Sequence, residues 1–250
     1  MNIFRTFWKS VRELFEDLFV LALVNGLWWL INLPFAIVLF FLGGTNLALF
    51  LLLLLASVLT FGPANAGLYT IAERVTEGRT SSWRHFFQGM REYAVLSWKV
   101  YGLWMFGLII ILFNLQFYNM NGSMIGSLLF VVFLYFALVW FGLLIYIGPL
   151  MRIQTDKRIR TIARNAALMT FGRPVFSLVT VLMMALIVIV SIWLPFLLLI
   201  ATFAFLALWS FRATLTLIAE AEARRAANAE KTSSNQSGGK GRGGQVRPRD

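Results

Sequence analysis

Groups able to do acid–base or metal chemistry are few in this 250-residue chain, and they are scattered. His85 is the only histidine and there is no cysteine, so neither an HExxH zinc pattern nor a Cys/His cluster can be assembled. No GxxxxGK[ST] phosphate loop occurs either. A membrane-interface enzyme would have to be built from Glu73, His85 and Lys99, and no nucleophile, base and orienting group accompany them in the sequence. The expectation is therefore no catalytic residue, no metal and no cofactor. The other polar groups of interest lie inside apolar stretches: Asn25, Asn32, Asn65, Asn114 and two Gly-Pro pairs, Gly62-Pro63 and Gly148-Pro149. Each proline removes one backbone bond from its helix, which frees the carbonyls of Leu59 and Ile145. In hydrocarbon a freed acceptor is tolerated only where protein or water meets it. This polar set has two readings, helix-to-helix hydrogen bonding or the lining of a solute pocket.

Those groups sit in a chain that is 59% hydrophobic and 13% charged, with mean hydropathy +0.76, where a soluble domain carries roughly 25% charged residues. The surrounding solvent must be lipid. A bilayer core about 30 Å thick takes roughly 20 apolar helical residues. Runs of that kind cover residues 18–42, 47–69, 94–117 and 124–151. The last run, 174–211, is about twice a membrane thickness and must fold back, with Pro195 opening a new helix after a hinge at 191–195. The fold class is thus all-α and polytopic, with six transmembrane helices in a domain spanning 18–219.

Charge placement tests that count separately, because Lys and Arg are held on the cytoplasmic side during insertion. All 22 Lys and Arg fall before the first span, between spans two and three, just inside span three at Lys99, between spans four and five, or after span six. The opposite loops, 43–46, 118–123 and 191–195, carry no charge. Both termini are expected in the cytoplasm of a bacterial cell, with the protein in its plasma membrane. The first span is long, follows Glu13, Glu16 and Asp17, and lacks a small-x-small cleavage site, so it is expected to be retained.

Three cytoplasmic stretches read as amphipathic elbow helices. Residues 1–17 set Phe4, Phe7, Trp8, Val11 and Phe15 against Arg5, Lys9, Arg12, Glu13 and Glu16. A second begins at Ser81-Ser82 and a third near Thr155-Asp156, the latter placing Ile159, Ile162, Ala163 and Ala166 on one face. They serve either as surface elbows or as a partner-docking surface formed by Trp83, Arg84, Phe86, Phe87, Arg91, Arg158, Arg160 and Arg164. Residues 224–250 are polar and Gly/Ser-rich, and the expectation there is a disordered basic cytoplasmic tail near anionic lipid head groups, not a nucleic-acid binder.

The two Gly-Pro pairs are each followed by a basic amphipathic stretch, an aromatic-Gly-basic cluster and another span, the pattern of a parallel duplication. Residues 61–93 resemble the signature region of the YesL-like family of small bacterial multi-pass membrane proteins, a domain of unknown function. The resemblance is carried by Gly62-Pro63-Ala64, 66–69 and 83–91, with a second match at Tyr146-Ile147-Gly148-Pro149 and 165–168. It covers about residues 18–215 and implies a carbohydrate-utilisation context beside sugar-permease or ATPase subunits, with no catalytic residue to carry over. Asn165-Ala166-Ala167 followed by Gly172 falls short of the ABC-permease coupling motif in its first acid and in its spacing. The functional expectation is a non-enzymatic membrane protein accessory to carbohydrate uptake. The alternative is a solute-conducting or substrate-binding subunit.

Overall fold

The computed structural model describes residues 3–44, 46–120 and 123–239, with side chains to residue 229. Among them the chain is all-helical. Two units divide it, Met1–Thr214 and Leu215–Asp250. The first unit holds a short helix α1 (Ile3–Glu16), the long α2 (Leu18–Leu42), and a bent pair α3 (Leu47–Ala56) and α4 (Val58–Thr76). Then come the short α5 (Trp83–Glu92), α6 (Ala94–Met120), α7 (Met124–Ile153), the short α8 (Ile159–Gly172) and α9 (Pro174–Trp193). A single turn α10 (Pro195–Leu197) leads through a π turn (Leu198–Thr202) into α11 (Phe203–Gly239), whose residues from 215 onward form the second unit.

Five helical stretches are long and apolar enough to cross a membrane, and the α3–α4 pair makes a sixth if taken as one span. That pair bends by 41°. The sequence places the kink of this second span at Pro63. Instead the break falls at Ser57, whose hydroxyl donates to the Leu54 carbonyl at 2.6 Å and so competes with the helix ladder. The expected turn before Pro195 is present, with that proline in the first turn of its helix.

Large apolar side chains cover the outer faces of the spans. Phe19, Phe40, Met124 and Trp193 are each more than four-fifths exposed, a surface that only hydrocarbon can solvate without cost. Inside, Leu21, Val24, Ile71, Tyr101, Tyr146, Leu208 and Trp209 form the core. Helices α6 and α7 are locked by a reciprocal pair: Trp104 Nε1 donates to the Trp140 carbonyl at 3.0 Å and Trp140 Nε1 to the Trp104 carbonyl at 2.9 Å. Gly107 makes room for it, since a Cβ there would overlap the Trp140 ring.

The short helices α1 and α8 bury one side each, with differences from the expected faces. In α1, Thr6, Ser10 and Glu13 turn inward beside Phe7, whose ring packs on Phe205 and Trp209 at 5.8 and 5.2 Å, while Phe4, Trp8 and Phe15 stay exposed, so the protein-facing stripe mixes polar and aromatic groups. Glu13 is therefore not on the solvent side with Arg5 and Lys9. Helix α8 buries Ile162 and Ala166 as expected, but Ala163 is exposed. The tail also differs from expectation. Residues 224–239 continue α11, because the Ala, Glu, Arg and Lys of 219–231 are strong helix formers and outweigh the polar composition. Residues 240–250 of that tail lie outside the described residues.

Candidate functional site

Both carbonyls released by the Gly-Pro pairs are met by side chains from other helices. In α4 the Leu59 carbonyl, freed by Pro63, accepts from Trp98 Nε1 of α6 at 3.0 Å. In α7 the Ile145 carbonyl, freed by Pro149, accepts a short bond from the Ser210 hydroxyl of α11. Ser210 also lies 3.3 Å from the Tyr69 hydroxyl of α4, and the Tyr69 ring rests on Gly148, where a Cβ would collide with it. Pro149, Gly148, Tyr69 and Ser210 therefore form one buried junction of α4, α7 and α11. Gly62 plays a milder part, its α-carbon facing the Ser97 backbone of α6.

The intramembrane asparagines do not converge. Asn25 is fully buried and inserts its amide into the π turn: its nitrogen donates to the Leu198 and Leu199 carbonyls at 3.0 and 2.6 Å, and its oxygen accepts from the Phe203 and Ala204 amides at 2.9 and 3.1 Å. A side chain in the ladder is a standard cause of such a bulge. Trp29 Nε1 donates to Leu198 as well, at 2.9 Å. Asn32 donates to the Trp28 carbonyl and accepts from the Thr60 hydroxyl, which ties α2 to α4. Asn65 and Asn114 donate one turn back, to Phe61 and Ile110.

At one end of the bundle lies a charged layer that sequence reading did not assemble. Glu73 at the end of α4 is bound by Arg152 at the end of α7, both mostly buried. The Arg152 guanidinium stacks over the Tyr93 ring at 4.3 Å, and Lys157 lies 5.3 Å from the same ring while donating to the Met151 and Arg152 carbonyls at 2.9 Å. Burial, and then the Arg152 charge, pull the Lys157 ammonium below its ordinary range. A second pair joins Glu13 of α1 to Arg212 of α11, and Arg212 also donates to the Thr76 carbonyl at 3.2 Å. Helix α4 ends just beyond, in a Schellman turn: Gly78 at φ +68° lets the Arg79 amide reach the Arg74 carbonyl.

Of the residues named for an enzyme, Glu73 is tied to Arg152, Lys99 is exposed on α6, and His85 caps its own helix, its Nδ1 accepting from the Ser82 amide at 3.1 Å. Burial, with the Arg74 and Arg79 charges, lowers the His85 pKa below its usual value. Among the described residues no three His, Asp or Glu come together as a metal would need.

The proposed docking residues divide. Phe86 is fully buried against Gly67 and leaves the set. Trp83, Arg84, Phe87 and Arg91 on α5 are exposed, as are Arg158, Arg160 and Arg164 around α8. Beside α5, a cleft of about 1000 Å³ opens between α2, α4 and α6.

The order of long helix, short elbow and next span occurs twice, in α4–α5–α6 and α7–α8–α9, as the duplication pattern expects. Its contacts are not equivalent. On the first elbow Gly89 receives Thr70 of α4, whereas on the second Thr170 fills the space at Gly142 of α7. The freed carbonyls are met from α6 in one copy and from α11, not α9, in the other.

No family model matches the chain, and neither the curated proteins nor the solved structures contain a significant match.

Proposed function

We propose that the protein is a non-enzymatic scaffold of the bacterial plasma membrane, crossing it six times with both ends in the cytoplasm, and that it serves as an accessory subunit of a carbohydrate uptake system. The observation that carries this reading is the use of Asn25. Its four bonds are all internal, and Asn32, Tyr69 and Ser210 are likewise engaged within the bundle, so these polar groups act as joints between helices instead of lining a solute path. The exposed arginines Arg160 and Arg164, one turn apart on α8, with Arg158 beside Asp156 at the helix start, offer a cationic face suited to an acidic patch on a transport subunit. The carbohydrate context rests on the resemblance of residues 61–93.

Crosslinking in intact membranes followed by affinity purification tests the assignment. A permease or ATPase subunit should be recovered with the wild type and lost when Arg158, Arg160 and Arg164 are all changed to Glu. Recovery of no transport subunit, or solute flux through vesicles holding this chain alone, contradicts it.

A further inference from the structure

The cleft beside α5 has a division of chemistry that suits an amphiphile. Its wall is apolar and comes from the spans: Ile31 of α2, Leu59 and Pro63 of α4, and Trp98 of α6. The polar atoms at that level are already satisfied. Trp98 Nε1 is held by the Leu59 carbonyl, and the Thr60 hydroxyl is held by Asn32 and by the Ser57 carbonyl. Nothing in the wall asks for a polar ligand.

The rim is different. Arg84, Gln88 and Arg91 recur at i, i+4 and i+7 along α5, so they share one stripe at the mouth. Both arginines are exposed, and among the described residues neither has a carboxylate partner; Arg84 only leans on the neighbouring Trp83 ring at 5.6 Å. Glu92 also lines the mouth, and two guanidinium groups against one carboxylate leave the rim net cationic. Trp83 and Trp98 both line the cleft, the residue type that settles at the boundary of head groups and acyl chains.

We propose that this cleft is a binding site for an anionic phospholipid, whose phosphate is held by Arg84 and Arg91 and whose acyl chains lie along Leu59, Pro63 and Trp98. A soluble sugar would leave the apolar wall unmatched, and a zwitterionic lipid, whose cationic head group offsets its own phosphate, would leave the net positive charge of the rim unbalanced. The site rests on α2, α4 and α6 lying in a bilayer and is independent of the accessory role in transport, so failure of one leaves the other standing.

The test uses the full-length protein in phosphatidylcholine nanodiscs carrying a trace of photoactivatable phosphatidylglycerol or phosphatidylcholine. Phosphatidylglycerol should label residues 83–98 preferentially. That preference should fall about fivefold with R84Q or R91Q and about thirtyfold with both, since each basic residue near a lipid surface contributes a similar amount. The control pair R5Q/K9Q, equally basic and on α1, should leave it unchanged. A94F, which narrows the cleft and keeps both charges, should reduce labelling by both lipids. Thermal unfolding equal to wild type confirms that the variants are folded, and the single arginine variants serve if the double one is not. Equal labelling by the two lipids overturns the proposal, as does an equal drop in R5Q/K9Q. Displacement of the label by inorganic phosphate also overturns it, pointing to a free-anion site. Labelling that occurs in nanodiscs but is blocked in native membranes overturns it in favour of a protein occupant.

Discussion

Asn25 shows what a polar side chain does when water is absent. Its amide supplies donors to two carbonyls in the π turn at Leu198–Thr202 and an acceptor to the first two amides of α11. Leucine in its place would leave those backbone groups unmatched in a dry interior, where each orphan costs on the order of 1–3 kcal/mol. N25L should therefore lower stability by at least about 2 kcal/mol in a detergent unfolding assay, and N25D should recover only part of it because the donors are lost. Gly148 gives a steric counterpart. G148A forces a methyl into the Tyr69 ring and should cost about 1–3 kcal/mol, whereas G26A, with open space around it, should be neutral or slightly stabilising in the same assay. The asparagines and the Gly-Pro pairs were legible as special positions from their residue types alone. Their partners were not. Trp98 and Ser210, which meet the two freed carbonyls, lie 39 and 65 residues away in sequence, and nothing in local periodicity distinguishes a tryptophan that faces lipid from one that bonds a neighbouring helix. Glu13 was assigned to solvent for a related reason: a helical wheel gives the faces of α1 but does not say that a cation, Arg212, waits on the bundle side.

At the scale of elements, the short helices are held by specific and testable contacts. The start of α5 depends on neutral His85, because a protonated imidazole cannot accept the Ser82 amide at Nδ1. The folded-state pKa is lowered, so the unfolded chain binds the proton more readily. The contribution of this cap is then complete above the ordinary value of about 6.5 and is lost as pH falls from there through the lowered value. Hydrogen exchange at residues 83–86, corrected for intrinsic rates, should quicken as pH falls below about 6.5 in the wild type and lose that extra pH dependence in H85Q. The Glu73–Arg152 pair ties α4 to α7 beneath Tyr93. E73Q should leave the guanidinium in a mostly buried place without its counter-charge and cost about 1–3 kcal/mol after allowing for partial exposure. A swapped pair, E73R/R152E, should recover part of that loss. Helix positions were readable here because hydropathy and amphipathic spacing are local signals. The break at Ser57 was not, since Pro63 is the stronger sequence cue, while the hydroxyl that bends the helix sits six residues earlier.

For the whole molecule, the decisive feature is that charge gathers at one end of the spans while their flanks remain apolar. Glu73 and Arg152 bind the end of α4 to that of α7, Glu13 and Arg212 bind α1 to α11, and Lys157 and Tyr93 join the first pair. The loops at 43–44 and 191–195 hold no charge at all. Helix ends bearing cations are costly to carry through a bilayer, so this layer should stay in the cytoplasm. The absence of cysteine makes that claim directly measurable, because any introduced thiol is the only one present. Single substitutions G44C, L194C, T80C and T155C, probed with a membrane-impermeant maleimide on intact cells, give the answer. Gly44→Cys and Leu194→Cys should be labelled from outside, and Thr80→Cys and Thr155→Cys only after the membrane is opened; modification of Thr80→Cys or Thr155→Cys in intact cells would contradict a cytoplasmic charged layer.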